Sequence, residues 1–165
     1  MDTLLELAVD RFLQQARESG AEGIVSSVEE LNAFDHWFPG LLPTWYRELL
    51  ATKPIGNLGF SAEVRGISCE GEGHFRDAAT LLGEVEDAFP DVDLAQRGFL
   101  MICDAGDGDG WVIRADSTPD DPIEFVYLSD GGAGSLQDSD SCLISQGETL
   151  AEFLSALKPI TALAG

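Results

Sequence analysis

Phe99-Leu100-Met101-Ile102-Cys103-Asp104-Ala105-Gly106-Asp107-Gly108-Asp109-Gly110-Trp111-Val112-Ile113-Arg114-Ala115 is the stretch whose reading decides the fold. Phe99–Cys103 is apolar without alternation, the pattern of a strand in the middle of a sheet. Trp111–Ala115 resumes the strand pattern after a Gly/Asp-rich turn, and Gly and Asp tolerate the tight backbone of a hairpin. Ile123–Leu128 follows a second turn, rich in Pro and Asp. Connections this short exclude parallel crossovers, which need a dozen residues or more.

Working outward, residues 58–69 alternate as a half-buried strand, with Leu58, Phe60, Ala62 and Val64 on one side. That strand breaks near Gly66 and resumes through Ile67 and Cys69, before a loop punctuated by Gly71 and Gly73. Helical spacing of Ala78, Leu81, Leu82, Val85 and Phe89 predicts a helix over 75–89, ended by Pro90 and weakened by Gly83. Residues 129–141 form a long polar loop, and Cys142–Ile144 a short edge strand. Ser145 and Glu148 have the spacing of a capping box, and Leu150, Phe153, Leu154 and Leu157 give a last helix one apolar face.

Helices also come first. Leu5, Val9, Phe12 and Ala16 recur at helical spacing over 3–18, with Leu4, Ala8 and Leu13 widening the stripe and Gly20 as a stop. Ser26 with Glu29, or Ser27 with Glu30, opens a short helix through about Phe34. A turn at His36–Gly40 leads into a third helix over Leu41–Leu50, with Pro43 in its first turn and Lys53-Pro54 at its end. In that helix Trp45 and Leu49 share a face, with Tyr46 and Leu50 beside it. The order predicts an α+β fold in one domain over 1–165, helices packed on a mostly antiparallel sheet. Its parts are helical over about 3–53, sheet-containing over about 58–145, and helical again over about 147–158.

The chain carries nine Lys and Arg against thirty Asp and Glu, a formal −21. Residues 84–140 hold fifteen acids and two bases (Arg97 and Arg114), a balance of −13. Nine Phe and three Trp place this charge on a folded body, because a disordered acidic chain would be poor in both. The field repels nucleic acid and anionic membrane and attracts a basic partner. Charge alone suits solubility, or a high-salt or otherwise unusual milieu, slightly better than a partner. The sequence has no stretch of ~20 apolar residues to span a bilayer, and its first residues are acidic where a secretory signal is basic. The odd set Cys69, Cys103 and Cys142 lacks a Cys-x-x-Cys and reads as reduced, buried thiols in a cytoplasmic protein.

Catalytic and metal motifs are weak. An EF-hand register with Asp107, Asp109 and Gly110 at positions three, five and six puts Ala105 at position one and Asp116 where a bidentate Glu belongs. A glycine-rich hairpin accounts better for Asp104–Asp109. The third glycine of a dinucleotide loop would fall on Trp111. His36 and His74 lie in no recognisable triad motif, and no phosphate-binding loop is present. No catalytic residue, metal or cofactor is expected.

Three stretches together resemble the SUKH superfamily, which includes bacterial immunity proteins and fungal cell-wall-assembly regulators. They are Val28-Glu29-Glu30-Leu31 leading to Leu42-Pro43-Thr44-Trp45-Tyr46-Arg47-Glu48-Leu49-Leu50, the Phe99–Ile113 hairpin, and Asp121-Pro122-Ile123-Glu124-Phe125-Val126-Tyr127 followed by Thr149–Leu154. The resemblance spans about residues 26–157; the middle, 54–80, departs from it, and the loop at 129–141 is an addition. It implies an α+β fold and a binding role, in bacteria the neutralisation of a toxin that is often a nuclease. A nuclease presents a basic groove to phosphates, which carboxylates can occupy. The contact surface expected on that basis is Asp104, Asp107 and Asp109 at one turn, Asp120, Asp121 and Glu124 at the next, and Asp130, Asp138 and Asp140 in the long loop. Trp111, which equally suits the core, and Tyr127 are the candidate anchors. A general interaction module and a divalent-metal protein using Asp104–Asp109 are the rival readings.

Overall fold

The computed structural model describes residues 1–63, 70–88, 90–106, 108–127 and 143–160. Helix α1 (Thr3–Glu18) is N-capped by Asp2, whose carboxylate accepts from the Leu4 and Leu5 amides. It buries Leu5, Ala8, Val9, Phe12, Leu13 and Ala16. Leu4, expected on that stripe, faces outward instead. Helix α2 (Val28–Trp37) starts on the Ser27–Glu30 capping box and runs past Phe34, so His36 and Trp37 belong to its last turn. Helix α3 (Thr44–Thr52) has Pro43 at its N-cap and turns Tyr46, Leu49 and Leu50 inward. Trp45 is only partly buried, and its indole N–H donates to the Ser117 carbonyl at 2.9 Å.

Among the described residues the sheet has seven strands: β1 (Gly59–Glu63), β2 (Glu70–Phe75), β3 (Phe99–Gly106), β4 (Asp109–Arg114), β5 (Pro122–Val126), β6 (Leu143–Thr149) and β7 (Lys158–Pro159). Their order is β6-β5-β4-β3-β2-β1-β7, and every pairing is antiparallel. The fold is α+β, as expected. Phe99 and Met101 face one side of β3, and Leu100, Ile102 and Cys103 join the main core, with a register shift between Met101 and Cys103. Both faces of the apolar run are covered, which is why it does not alternate.

Four local expectations are corrected. Gly71 and Gly73 lie in strand β2, not in a loop; a Cβ on Gly73 would stand 2.8 Å from the Phe60 ring, so the glycine makes room for that aromatic. Helix α4 (Ala78–Asp87) starts after Phe75, which belongs to β2. Pro90 does not end the helical region; it is the N-cap of a further helix, α5 (Asp91–Gln96). Ser145 lies within strand β6 and pairs with Glu124, so no helix starts there; Thr149 and Glu152 form the capping box of α6 (Leu150–Ala156). Sheet pairing there outweighs a local cap of similar spacing. The segment 64–69, the 129–141 loop and Cys142 lie outside the described residues.

Strands β6 and β7 occupy opposite edges, yet α6 is nearly all that joins them. Seven flat strands at about 4.8 Å spacing would put the edges roughly 29 Å apart. Seven helical residues advance only about 10 Å. The sheet is therefore curled, with α6 lying across the gap. Trp111 fills the hollow, its ring 5.3 Å from that of Phe60, 5.0 Å from Phe125 and 5.2 Å from Phe153 of α6. Phe60 and Phe75 extend this cluster to Phe12 of α1. Leu94 of α5 covers Phe99, Met101, Val112 and Val126 on the other face.

Trp111→Ala should therefore cost about 3–5 kcal/mol, the usual loss for emptying a large aromatic site. Urea unfolding should show it as a lower midpoint; an unchanged midpoint would place Trp111 outside the core.

Candidate interaction surface

Of the eleven residues expected at a contact surface, Asp107, Asp130, Asp138 and Asp140 lie outside the described residues. The other seven are not gathered in one place. Asp104 and Asp109 stand at the β3–β4 turn, and Tyr127 follows β5 at the same end of the sheet. Asp120 and Asp121 lie on the β4–β5 connection at the opposite end, about 20 Å away along a six-residue strand. Glu124 is within β5, its carboxylate 3.2 Å from Arg114. The Asp121 carboxylate accepts from the Thr118 amide at 2.7 Å and so holds its own turn together.

Trp111 is not available as an anchor. It is 0% exposed, and its indole N–H has no acceptor among the described residues. Tyr127 is exposed. Trp37, at the end of α2, is more exposed still, and His36 packs edge-on against it.

Asp104 is committed to a cluster that periodicity and motif could not show. Arg76, between β2 and α4, reaches Asp91 at the start of α5 through Nη1 and Asp104 through Nη2 at 3.2 Å. Nη1 also approaches the Met101 carbonyl at 3.4 Å. Arg76 and Asp91 are each 3% exposed, so the pair ties α5 to the sheet inside the protein. Burial pulls the guanidinium down, but Asp91 and Asp104 outweigh it and hold it charged. Burial pushes the Asp91 carboxyl up, against the attraction of Arg76.

Nearby, burial drives both the Cys103 thiol and the Tyr46 phenol well above their ordinary values. A thiol held protonated is no nucleophile near neutrality. The Tyr46 hydroxyl and Arg76 Nε have no hydrogen-bond partner among the described residues. Among those residues, no group of three or more His, Cys, Asp and Glu is placed to hold a metal ion, and no helix is long and apolar enough to cross a membrane.

A groove of about 1030 Å³ lies between α1 and α6, with Pro119 and Asp120 also in its lining. Leu4 and Leu7 of α1 line it, as do Ala151 and Ala156 of α6. A smaller hollow of about 540 Å³ beside Trp45 shares Asp2 and Pro119 with it. Among the described residues, Asp120 is the one expected contact residue that lines the groove. The others were sought among acidic turns, whereas the groove arises where two helices distant in sequence lie side by side. Comparison with family models, curated proteins and solved structures finds no match to the chain.

Two outcomes follow from the buried cluster. Arg76→Met strands the Asp91 carboxylate and should cost about 3–5 kcal/mol at pH 7. The loss should shrink in acid, where Asp91 is protonated, and Arg76→Met with Asp91→Leu should recover most of it. Denaturant unfolding at pH 4 and pH 7 checks all three. In alkali, Cys103 and Tyr46 keep protons that the unfolded chain sheds at their ordinary values of 9.0 and 10.0. Their contribution to stability is full below about pH 9 and is lost as pH rises, at up to about 1.4 kcal/mol per pH unit for each group. Tyr46→Phe should remove one proton from that slope with little loss at pH 7, since the hydroxyl it deletes has no hydrogen-bond partner among the described residues.

Proposed function

We propose that this chain is a non-catalytic binding protein, an immunity-type relative of the SUKH superfamily that neutralises a basic, nuclease-like toxin domain in the cytoplasm. The observation that carries the reading is the charge. Thirty acids against nine bases leave twenty-one negative charges without a counterpart in the chain, on a body whose interior is closed by Trp111 and its aromatic neighbours. Such a field draws a cationic partner from beyond contact distance and repels nucleic acid, for which a nuclease inhibitor has no use. The α+β architecture is compatible with the resemblance carried by Leu42–Leu50, Phe99–Ile113 and Asp121–Tyr127.

Co-expression with the toxin domain encoded beside its gene should protect the host cell, and the purified chain should capture that domain. Raising salt from about 0.05 to 0.5 M should weaken capture at least about tenfold, chiefly through slower association. Absence of protection, or capture indifferent to salt, would contradict the proposal.

A further inference from the structure

From the groove between α1 and α6 we infer a docking site for a cationic amphipathic helix of the protein partner; the inference rests on the proposed basic partner and names where and how that partner is held. Leu4 and Leu7 are 70% and 62% exposed, although α1 already buries Leu5, Val9 and Phe12 on its inner side. Residues three apart on a helix are surface neighbours, so the two leucines form one apolar strip.

Carboxylates border the strip. Asp2, Asp10, Asp120, Glu148 and Glu152 line the groove against one base, Arg11. Asp10 also meets Lys53 at 2.6 Å, which tempers its charge. Two of the acids are held in position by backbone: Asp2 accepts the Leu4 amide at 2.9 Å, and Glu152 accepts the Thr149 amide at 2.9 Å. A partner pays little to order them.

Charge selects the occupant. A second copy of the chain would bring another −21 to an already negative surface, and an anionic membrane is repelled for the same reason. A helix with an apolar stripe flanked by Lys and Arg satisfies both parts of the groove. From Asp2 to Gln14 is twelve residue steps, about 18 Å along α1, so about three turns of the partner fit against it.

The test uses the full chain and a 14-residue Leu/Lys peptide patterned as an amphipathic helix, with a scrambled peptide of the same composition as control. Leu4→Ser with Leu7→Ser should leave the melting temperature nearly unchanged and weaken the patterned peptide about tenfold or more. Val28→Ser, at an exposed apolar residue on α2, should change nothing, and the scrambled peptide should bind less tightly and ignore all three substitutions. Failure of the patterned peptide to bind the wild-type chain, or equal affinity for the double variant, overturns the site. Toxin capture separates the two claims. If the double variant still binds peptide and toxin like the wild type, the groove is wrong and the basic-partner reading stands. If the wild type binds the peptide through Leu4 and Leu7 but protects against no toxin, the site stands and the immunity reading fails.

Discussion

A helix advancing about 10 Å has to carry the chain between opposite edges of a seven-stranded sheet, and the rest of the structure depends on that short link. Curling is the only way the edges come within its reach. Curling in turn creates a hollow that needs bulk, and Trp111, Phe60, Phe125 and Phe153 provide it. Gly73 follows from the same demand, since any side chain there would collide with the Phe60 ring. With α6 lying across the gap, α1 packs beside it and reaches β7. The groove between the two helices is thus a product of closure.

The acidic residues serve two different purposes. Asp2, Asp77, Glu30 and Glu152 cap helices, Asp121 holds a turn, and Asp91 with Asp104 neutralises a buried arginine. These carboxylates hold the fold, and Asp2 and Glu152 also border the groove. The acidic surplus gives the surface its sign, and it is not restricted to the sheet end marked by Asp104 and Asp109. The groove draws its charge from α1, α6 and the β4–β5 connection, so among the described residues of the densest acidic segment Asp120 is the one that lines it.

Much of the fold was legible because local pattern and tertiary demand agree. The Phe99–Cys103 run, the Gly/Asp hairpin after it, the inward stripe of α1 and a helix start at Ser26 or Ser27 all report their structure directly. Where the two conflict, sequence reading fails for a physical reason. Gly73 looks like a loop glycine because the ring it makes room for, Phe60, lies on a neighbouring strand. Ser145 and Glu148 look like a helix cap because the pairing of β6 with β5 is invisible locally. Lys158–Pro159 is too short to register as a strand; proline is tolerated there because the pairing lies at a sheet edge. The candidate site was less legible than the fold. Trp111 suited core and anchor equally from its neighbours alone, Leu4 passed for core, and Arg76 gave no sign that two acids from separate elements would enclose it.

Hydrogen–deuterium exchange on the chain, alone and saturated with the proposed basic partner, tests the account most directly. A rigid acidic body that docks its partner along α1 and α6 should show added protection over residues 2–14 and 147–156, with β3 and β4 already slow and unchanged. Protection confined to other surfaces, or no change on saturation, would contradict it.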